Sequence, residues 1–162
     1  MKKNLDFRNP LTFISTGFGL GLFPVAPGTV SSFFAAIFYL FFFDPFISNF
    51  YYLLLFICFI LLSLVLGILI YPLTTNSDKD PPYFVWDEFV GMWIACLPVS
   101  FTSNSFTFLI YSFVLFRLFD IWKPWIIQYF NKMENGIGVM MDDIFAGLFS
   151  CFFVSLTIYI LS

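Results

Sequence analysis

The chain has 162 residues, 60% hydrophobic, 24% aromatic and only 10% charged, with a formal net charge of −3 and no histidine. A soluble domain carries about a quarter charged residues, so the composition points away from a water-soluble globule, and without a long basic tract nucleic acid is not an expected partner. The length fits one domain, residues 1–162. Lack of histidine removes the commonest general base and transition-metal ligand, so any metal is expected to be a hard cation on oxygen ligands, Mg²⁺ before Zn²⁺.

In chain order, the N-terminus is positive (Lys2, Lys3, Arg8) but no apolar core follows it directly, so no cleaved signal peptide is expected. Residues 16–32 are dense in glycine, proline and hydroxyls, with Gly17, Gly19 and Gly21 at alternate positions and Gly28-Thr29 leading to Ser31 and Ser32. Such a stretch reads equally as a tight re-entrant turn or as backbone N–H groups offered to a phosphate. It is no Walker loop, because the Gly-Lys-Ser/Thr ending is missing.

The first apolar segment, 30–43, stops at Asp44-Pro45, and the second, 50–70, carries no charge over 21 residues, enough for ~30 Å of helix. The third, 89–101, follows Pro81-Pro82 and opens on Asp87-Glu88. Acids do favour helix N-termini, but an adjacent pair repels itself unless a cation sits between.

The fourth segment, 106–119, runs into Arg117, Asp120 and Lys123 at intervals of three, which on a helix share one face. Trp122 and Trp125 fit an interfacial belt, and Pro124 turns the chain into an interfacial stretch, 125–130. The fifth segment, 144–161, follows a glycine-containing loop, 135–138, with Asp142-Asp143 expected at its entrance. Capping employs one acid there and leaves the second unexplained.

The expected fold is therefore all-α: a polytopic membrane helical bundle of four to five segments. Segments one, three and four are short enough to be buried or re-entrant. The connections at 44–49 and 102–105 hold a single charge, Asp44. Alternating segments then gather the remaining charges, every Lys and Arg included, at one polar face, which the positive-inside rule makes cytoplasmic. Cys58, Cys96 and Cys151 lie in apolar runs without ligand-like spacing and read as buried small hydrophobes.

Seven of the ten acids gather at Asp78/Asp80/Asp87/Glu88, at Asp120 and at Asp142/Asp143. Carboxylates are costly beside hydrocarbon and persist there mainly when paired or binding cations. Acids around a hard cation, with Arg117 and Lys123 near in sequence, fit phosphoryl chemistry. A cysteine phosphatase needs Cys-x5-Arg, but Leu64, Thr102 and Thr157 stand where the arginine belongs. Histidine-dependent phosphatases are excluded outright. Asp78-Lys79-Asp80 imitates an aspartyl-nucleophile motif without its preceding buried strand. The rival reading is a small cation-binding transport or channel module using the same acids without hydrolysis. Such a module keeps its acids or unwound glycines near the bilayer midplane, whereas these are expected at one face.

Four stretches, taken together and in order, resemble the phosphatidylglycerophosphatase A family of bacterial membrane lipid phosphatases over nearly the whole chain. They are 17–32 with Ala26-Pro27-Gly28-Thr29, 85–91 with Asp87-Glu88, 117–124 with Arg117, Asp120 and Lys123, and 138–147 with Asp142-Asp143. The resemblance implies Mg²⁺-dependent hydrolysis of the terminal phosphate of phosphatidylglycerophosphate to phosphatidylglycerol at the bacterial inner membrane. Asp87, Glu88, Asp120, Asp142 and Asp143 match the family's acidic positions, and Arg117 and Lys123 its basic ones. With these, Asp87, Glu88, Asp120, Asp142 and Asp143 are the expected metal-binding and catalytic set, and Arg117, Lys123, Gly28, Thr29 and Ser32 the expected substrate-binding set.

Overall fold

The computed structural model describes residues 7–75 and 81–161. Lys2, Lys3 and the Asp78-Lys79-Asp80 group fall outside them. Helix α1, Pro10–Ser15, starts where the Asn9 side chain accepts the Leu11 N–H at 2.9 Å. After a 3₁₀ turn at Leu20–Leu22 come α2, Pro27–Phe42, and the short α3, Asp44–Ile47, both with proline in the first turn, where a missing N–H costs nothing. Helix α4, Phe50–Thr75, opens on Asn49, whose carboxamide accepts the Tyr51 N–H at 2.9 Å. Helix α5, Trp86–Cys96, continues as a 3₁₀ turn, Leu97–Phe101. Then follow α6, Ser105–Trp122, α7, Ile126–Asn131, and α8, Gly136–Leu161.

No strand occurs among the described residues. Three helices, α4, α6 and α8, are long and apolar enough to cross a membrane, while α2 is a shorter apolar helix of 16 residues. The three present outward apolar side chains such as Leu62, Ile121 and Phe152. This pattern is stable only against lipid, and the chain is a membrane protein.

The expected apolar segments fall on helical elements, with the third divided between α5 and the 3₁₀ turn that follows it, and α4 running five residues past the expected end at 70. The fifth begins at Gly136, eight residues before the expected start at 144. Asn135 is its cap, accepting the Gly138 N–H at 2.9 Å, so 136–143 is helix rather than loop. Asp142 and Asp143 thus sit about two turns inside α8, where capping cannot explain either acid. Of the cysteines, Cys96 is buried and Cys151 half-buried. Cys58, expected inside, is exposed on the outward side of α4, where hydrocarbon rather than protein packs against it.

Helix α5 is the axis of the bundle. Ten of its 11 residues are buried, which is the signature of a helix enclosed on every side. The Trp86 indole N–H donates to the Ser63 carbonyl of α4 at 3.0 Å, and that of Trp93 to the Ala35 carbonyl of α2 at 3.2 Å. Tyr39 and Ser100 share a 2.7 Å hydrogen bond. Against α8, α5 packs backbone to backbone. A methyl group at Gly91 would meet the Asp143 carbonyl oxygen at 2.5 Å, and one at Gly147 would meet the Gly91 carbonyl. Small residues permit such close helix approach in membranes. Each glycine lies four residues after an acid, Asp87 before Gly91 and Asp143 before Gly147, so this crossing carries the two acids to one place.

Candidate active site

The acids of α5 and α8 come together. One carboxylate oxygen each from Asp87, Glu88 and Asp143 lies within 4.8 Å of the others. Asp87 and Asp143 are buried; Glu88 is half-buried as a residue, but its Oε2 is buried and without a hydrogen-bond partner. The two acidic pairs are built alike. Asp87 Oδ1 accepts the Glu88 N–H, and Asp142 Oδ1 accepts the Asp143 N–H, each at 3.0 Å. In each pair the first carboxylate is steered by the backbone of the second acid.

Helix α6 supplies the adjoining charges. Arg117 Nη1 lies 2.6 Å from Asp120 Oδ2 and 3.4 Å from Ser32 Oγ on α2, while its buried Nε has no partner. Asp120 in turn neighbours Asp143. Lys123 lies just past the end of α6, so the expected shared helix face covers Arg117 and Asp120 but not Lys123 itself. Its Nζ reaches Asp142 Oδ2 at 2.6 Å and Asn131 Oδ1 at 2.8 Å, with Asp120 Oδ1 at 3.9 Å. Burial would lower the Lys123 pKa, but Asp142 first, then Asp143 and Asp120, outweigh it and raise it above the ordinary lysine value. Lys123 is therefore held as a cation at neutral pH.

The N-terminus of α2 closes the cluster. Gly28 leaves no room for a side chain, since an added methyl would strike Glu88 Oε1 and come within 3.5 Å of Arg117 Nη1. Ser32 donates to the Gly28 carbonyl at 2.7 Å while receiving Arg117. The ends of α2, α5 and α6 and the second turn of α8 thus converge, bringing together Asp87, Glu88, Asp143, Asp120, Arg117, Gly28 and Ser32. Asp142 and Lys123 form the neighbouring ion pair, turned toward Asn131 at the end of α7. Thr29 lies half-buried in the first turn of α2, beside Gly28.

Sequence reasoning missed the backbone that holds this arrangement. Ala26 and Lys123 have positive φ, 47° and 48°, and each precedes a proline, which ordinarily drives the preceding residue to extended backbone. Phe18 and Trp125 are also left-handed, with φ of 59° and 43°. Such outliers persist where the surrounding structure over-determines them. The Ala-Pro and Lys-Pro dipeptides were visible, but left-handed backbone before a proline runs against the local preference and is not legible from them.

A cluster of three carboxylates, two of them on buried residues, beside a partly unpaired guanidinium is poised for a cation and an anion at once. The family model described as phosphatidylglycerophosphatase A matches residues 13–158. The chain belongs to the phosphatidylglycerophosphatase A family. It is 39% identical to phosphatidylglycerophosphatase A of Escherichia coli strain K12 over 158 residues, covering 92% of this chain and 84% of that one. It is 35% identical to phosphatidylglycerophosphatase A of Haemophilus influenzae, over 91% of this chain and 88% of that one. A Bacteroides thetaiotaomicron protein called putative phosphatidylinositol-3-phosphatase is also 35% identical, over 91% of this chain and 93% of its own. No solved structure matches. Membership in the phosphatidylglycerophosphatase A family makes this chain a phosphatase, a phosphoric monoester hydrolase, in place of the transport module that the acids alone also allowed.

Proposed function

We propose that the chain hydrolyses the terminal phosphate of phosphatidylglycerophosphate in a Mg²⁺-dependent reaction, yielding phosphatidylglycerol and inorganic phosphate. The convergence of Asp87, Glu88 and Asp143 within 4.8 Å carries this reading. Three mutually repelling carboxylates, one with a buried unpartnered oxygen, are stabilised by a hard divalent cation, and the donor set is all oxygen. Asp87, Glu88 and Asp143 would hold Mg²⁺, with Asp120 and Asp142 completing the acidic surround. Bound there, the ion supplies Lewis-acid polarisation of a phosphoryl oxygen and acidifies a water.

The remaining work falls to the protein. Arg117 is fixed through Nη1 by Asp120 and keeps Nε free, so it grips phosphate without losing its orientation. Gly28, Thr29 and Ser32 at the start of α2 bring helix N–H groups and a hydroxyl toward the same anion. Lys123, held by Asp142, adds positive charge beside them. One carboxylate of the set takes the proton of the attacking water as the water oxygen bonds to phosphorus, and the ester P–O bond breaks with that proton passing to the departing glycerol oxygen.

The test is phosphate release by purified protein from phosphatidylglycerophosphate, with Mg²⁺, with chelator and with Zn²⁺. Release should need Mg²⁺ or Mn²⁺ and stop with chelator. No release with Mg²⁺ present would sink the proposal, and a full rate with Zn²⁺ alone would contradict the ligand set. Phosphatidylinositol 3-phosphate belongs in the same assay, because a 35% identical relative is called a putative phosphatidylinositol-3-phosphatase. Faster turnover of the inositol lipid would transfer the reading to that substrate. The same proposal puts the chain in the bacterial inner membrane with the site at the cytoplasmic face.

A further inference from the structure

A second feature, which the chemistry does not use, is an aromatic groove of about 330 Å³ along α5. Its floor is Trp86, Phe89 and Trp93, all buried; its rim is Phe34 and Phe38 of α2 and Phe59 of α4, all exposed. Positions 86, 89 and 93 follow helical spacing and make one stripe of α5. On the same helix, Asp87 and Gly91 face α8, and Glu88 faces Gly28.

The groove has two distinguishable ends. At one, the Phe18 ring stands 6.3 Å from Trp86 and 6.2 Å from Phe89, the two residues that bracket Asp87 and Glu88 in sequence. At the other, Phe38 and Phe59 lie 6.1 and 5.2 Å from Trp93. Trp86 to Trp93 covers ~10 Å of helix axis, so the groove runs along α5 from the turn that carries the carboxylates, on another face of that helix. Phe18 holds its ring over the near end from a left-handed backbone, φ 59°. A bulky residue adopts that conformation only when its surroundings demand it.

We propose that this groove is the acyl-chain subsite of the lipid substrate, taking the upper part of one fatty-acyl chain while the headgroup phosphate lies at the acidic cluster. It rests on the lipid-phosphatase reading above. The occupant follows from position. The groove is apolar throughout, its rim joins the outward apolar surface of α2 and α4, and its near end lies on the turn of α5 that also carries Asp87 and Glu88, the level at which the headgroup of a membrane lipid must lie. Because surrounding lipid tails are as apolar as the groove, the gain comes from fit against fixed rings rather than from transfer out of water. The groove then positions the ester phosphate and makes the enzyme sensitive to the chain as well as to the headgroup.

Leu20, on the 3₁₀ turn, and Phe34, on α2, both line the groove, so Leu20→Trp and Phe34→Trp each fill it independently. Phosphate release is measured in detergent micelles from dioleoyl phosphatidylglycerophosphate and from its fully deacylated headgroup. Leu62→Trp, on the exposed outer side of α4, serves as the control for an added indole. Expected is a fall of at least fivefold in kcat/KM on the diacyl lipid for both groove variants, a ratio between the two substrates reduced by the same factor, and no such change for Leu62→Trp. Two results overturn the proposal: an unchanged ratio in both groove variants, or an equal reduction in the Leu62→Trp control. Wild-type protein that releases phosphate from neither substrate overturns the phosphatase reading instead. Wild-type release from both substrates with an unchanged ratio overturns the groove alone.

Discussion

At the residue scale, each acid in the cluster has a different set of neighbours and therefore a different expected loss. Glu88 and Asp143 share the three-carboxylate focus, and removing one charge from such a site costs ~10²–10³ in rate. Glu88→Gln and Asp143→Asn should fall that far at saturating Mg²⁺, with a raised Mg²⁺ requirement, while helical content stays at wild-type level. Asp142→Asn should behave differently. Asp142 pairs with Lys123 at 2.6 Å, so its loss strands a partly buried ammonium and should appear chiefly in thermal stability. Equal turnover for Asp143→Asn and wild type, measured by phosphate release, would remove Asp143 from the metal site.

The Lys123–Asp142 pair also sets a pH dependence. The folded-state pKa of Lys123 is raised above 10.5. A raised value means the stability it contributes is fully present below pH 10.5 and is lost as pH rises through the higher folded value. The thermal midpoint of the wild type should therefore fall more steeply above that pH than the midpoint of Lys123→Met. Parallel alkaline melting curves for the two would show that the pair contributes nothing.

At the element scale, the site depends on how closely α5 and α8 approach. Gly91→Ala sets a methyl 2.5 Å from the Asp143 carbonyl oxygen and 2.8 Å from the Phe116 ring. The first of these is backbone and cannot move aside, so the helices must part. Overpacking of this kind costs about 1–3 kcal/mol, and here it also separates Asp87 from Asp143. Gly67→Ala is the informative contrast, because its methyl meets the sulfur end of Met140, a side chain that adapts readily. Gly91→Ala should lose more stability and far more activity than Gly67→Ala, as read by detergent-solubilised melting and phosphate release. Loss of activity in Gly67→Ala equal to that in Gly91→Ala would contradict this account of the crossing.

At the scale of the whole molecule, the charges gather at the ends of helices that meet, and the proposed orientation follows from that gathering. On a background lacking Cys58, Cys96 and Cys151, a cysteine at Ser48 or Ser103 should react from outside intact cells with a thiol reagent that cannot cross the membrane. A cysteine at Lys132, beside the Lys123–Asn131 contact, should react only after permeabilisation. Reversed labelling would turn the active face outward. Family membership fixes phosphatase chemistry, while substrate, metal and sidedness each stand on their own measurement.

Much of this was legible in the chain itself. Apolar runs without charge dictate helices in lipid, because a backbone polar group in hydrocarbon has no partner but its own segment. Acids beside those runs are costly enough to mark a site, which is why Asp87, Glu88, Asp120, Asp142 and Asp143 stood out before any fold was known. Local pattern failed at the start of α8, where Gly136 and Gly138 resemble a loop and the cap, Asn135, lies nine residues before the expected start at 144. Only the tertiary structure decided how the acids divide. Asp143 joins Asp87 and Glu88 because glycines 91 and 147 let two helices touch, whereas Asp142, one residue earlier, projects to Lys123. Neighbours on a helix point about 100° apart, and which of them meets another helix is a property of packing, to which sequence spacing is blind.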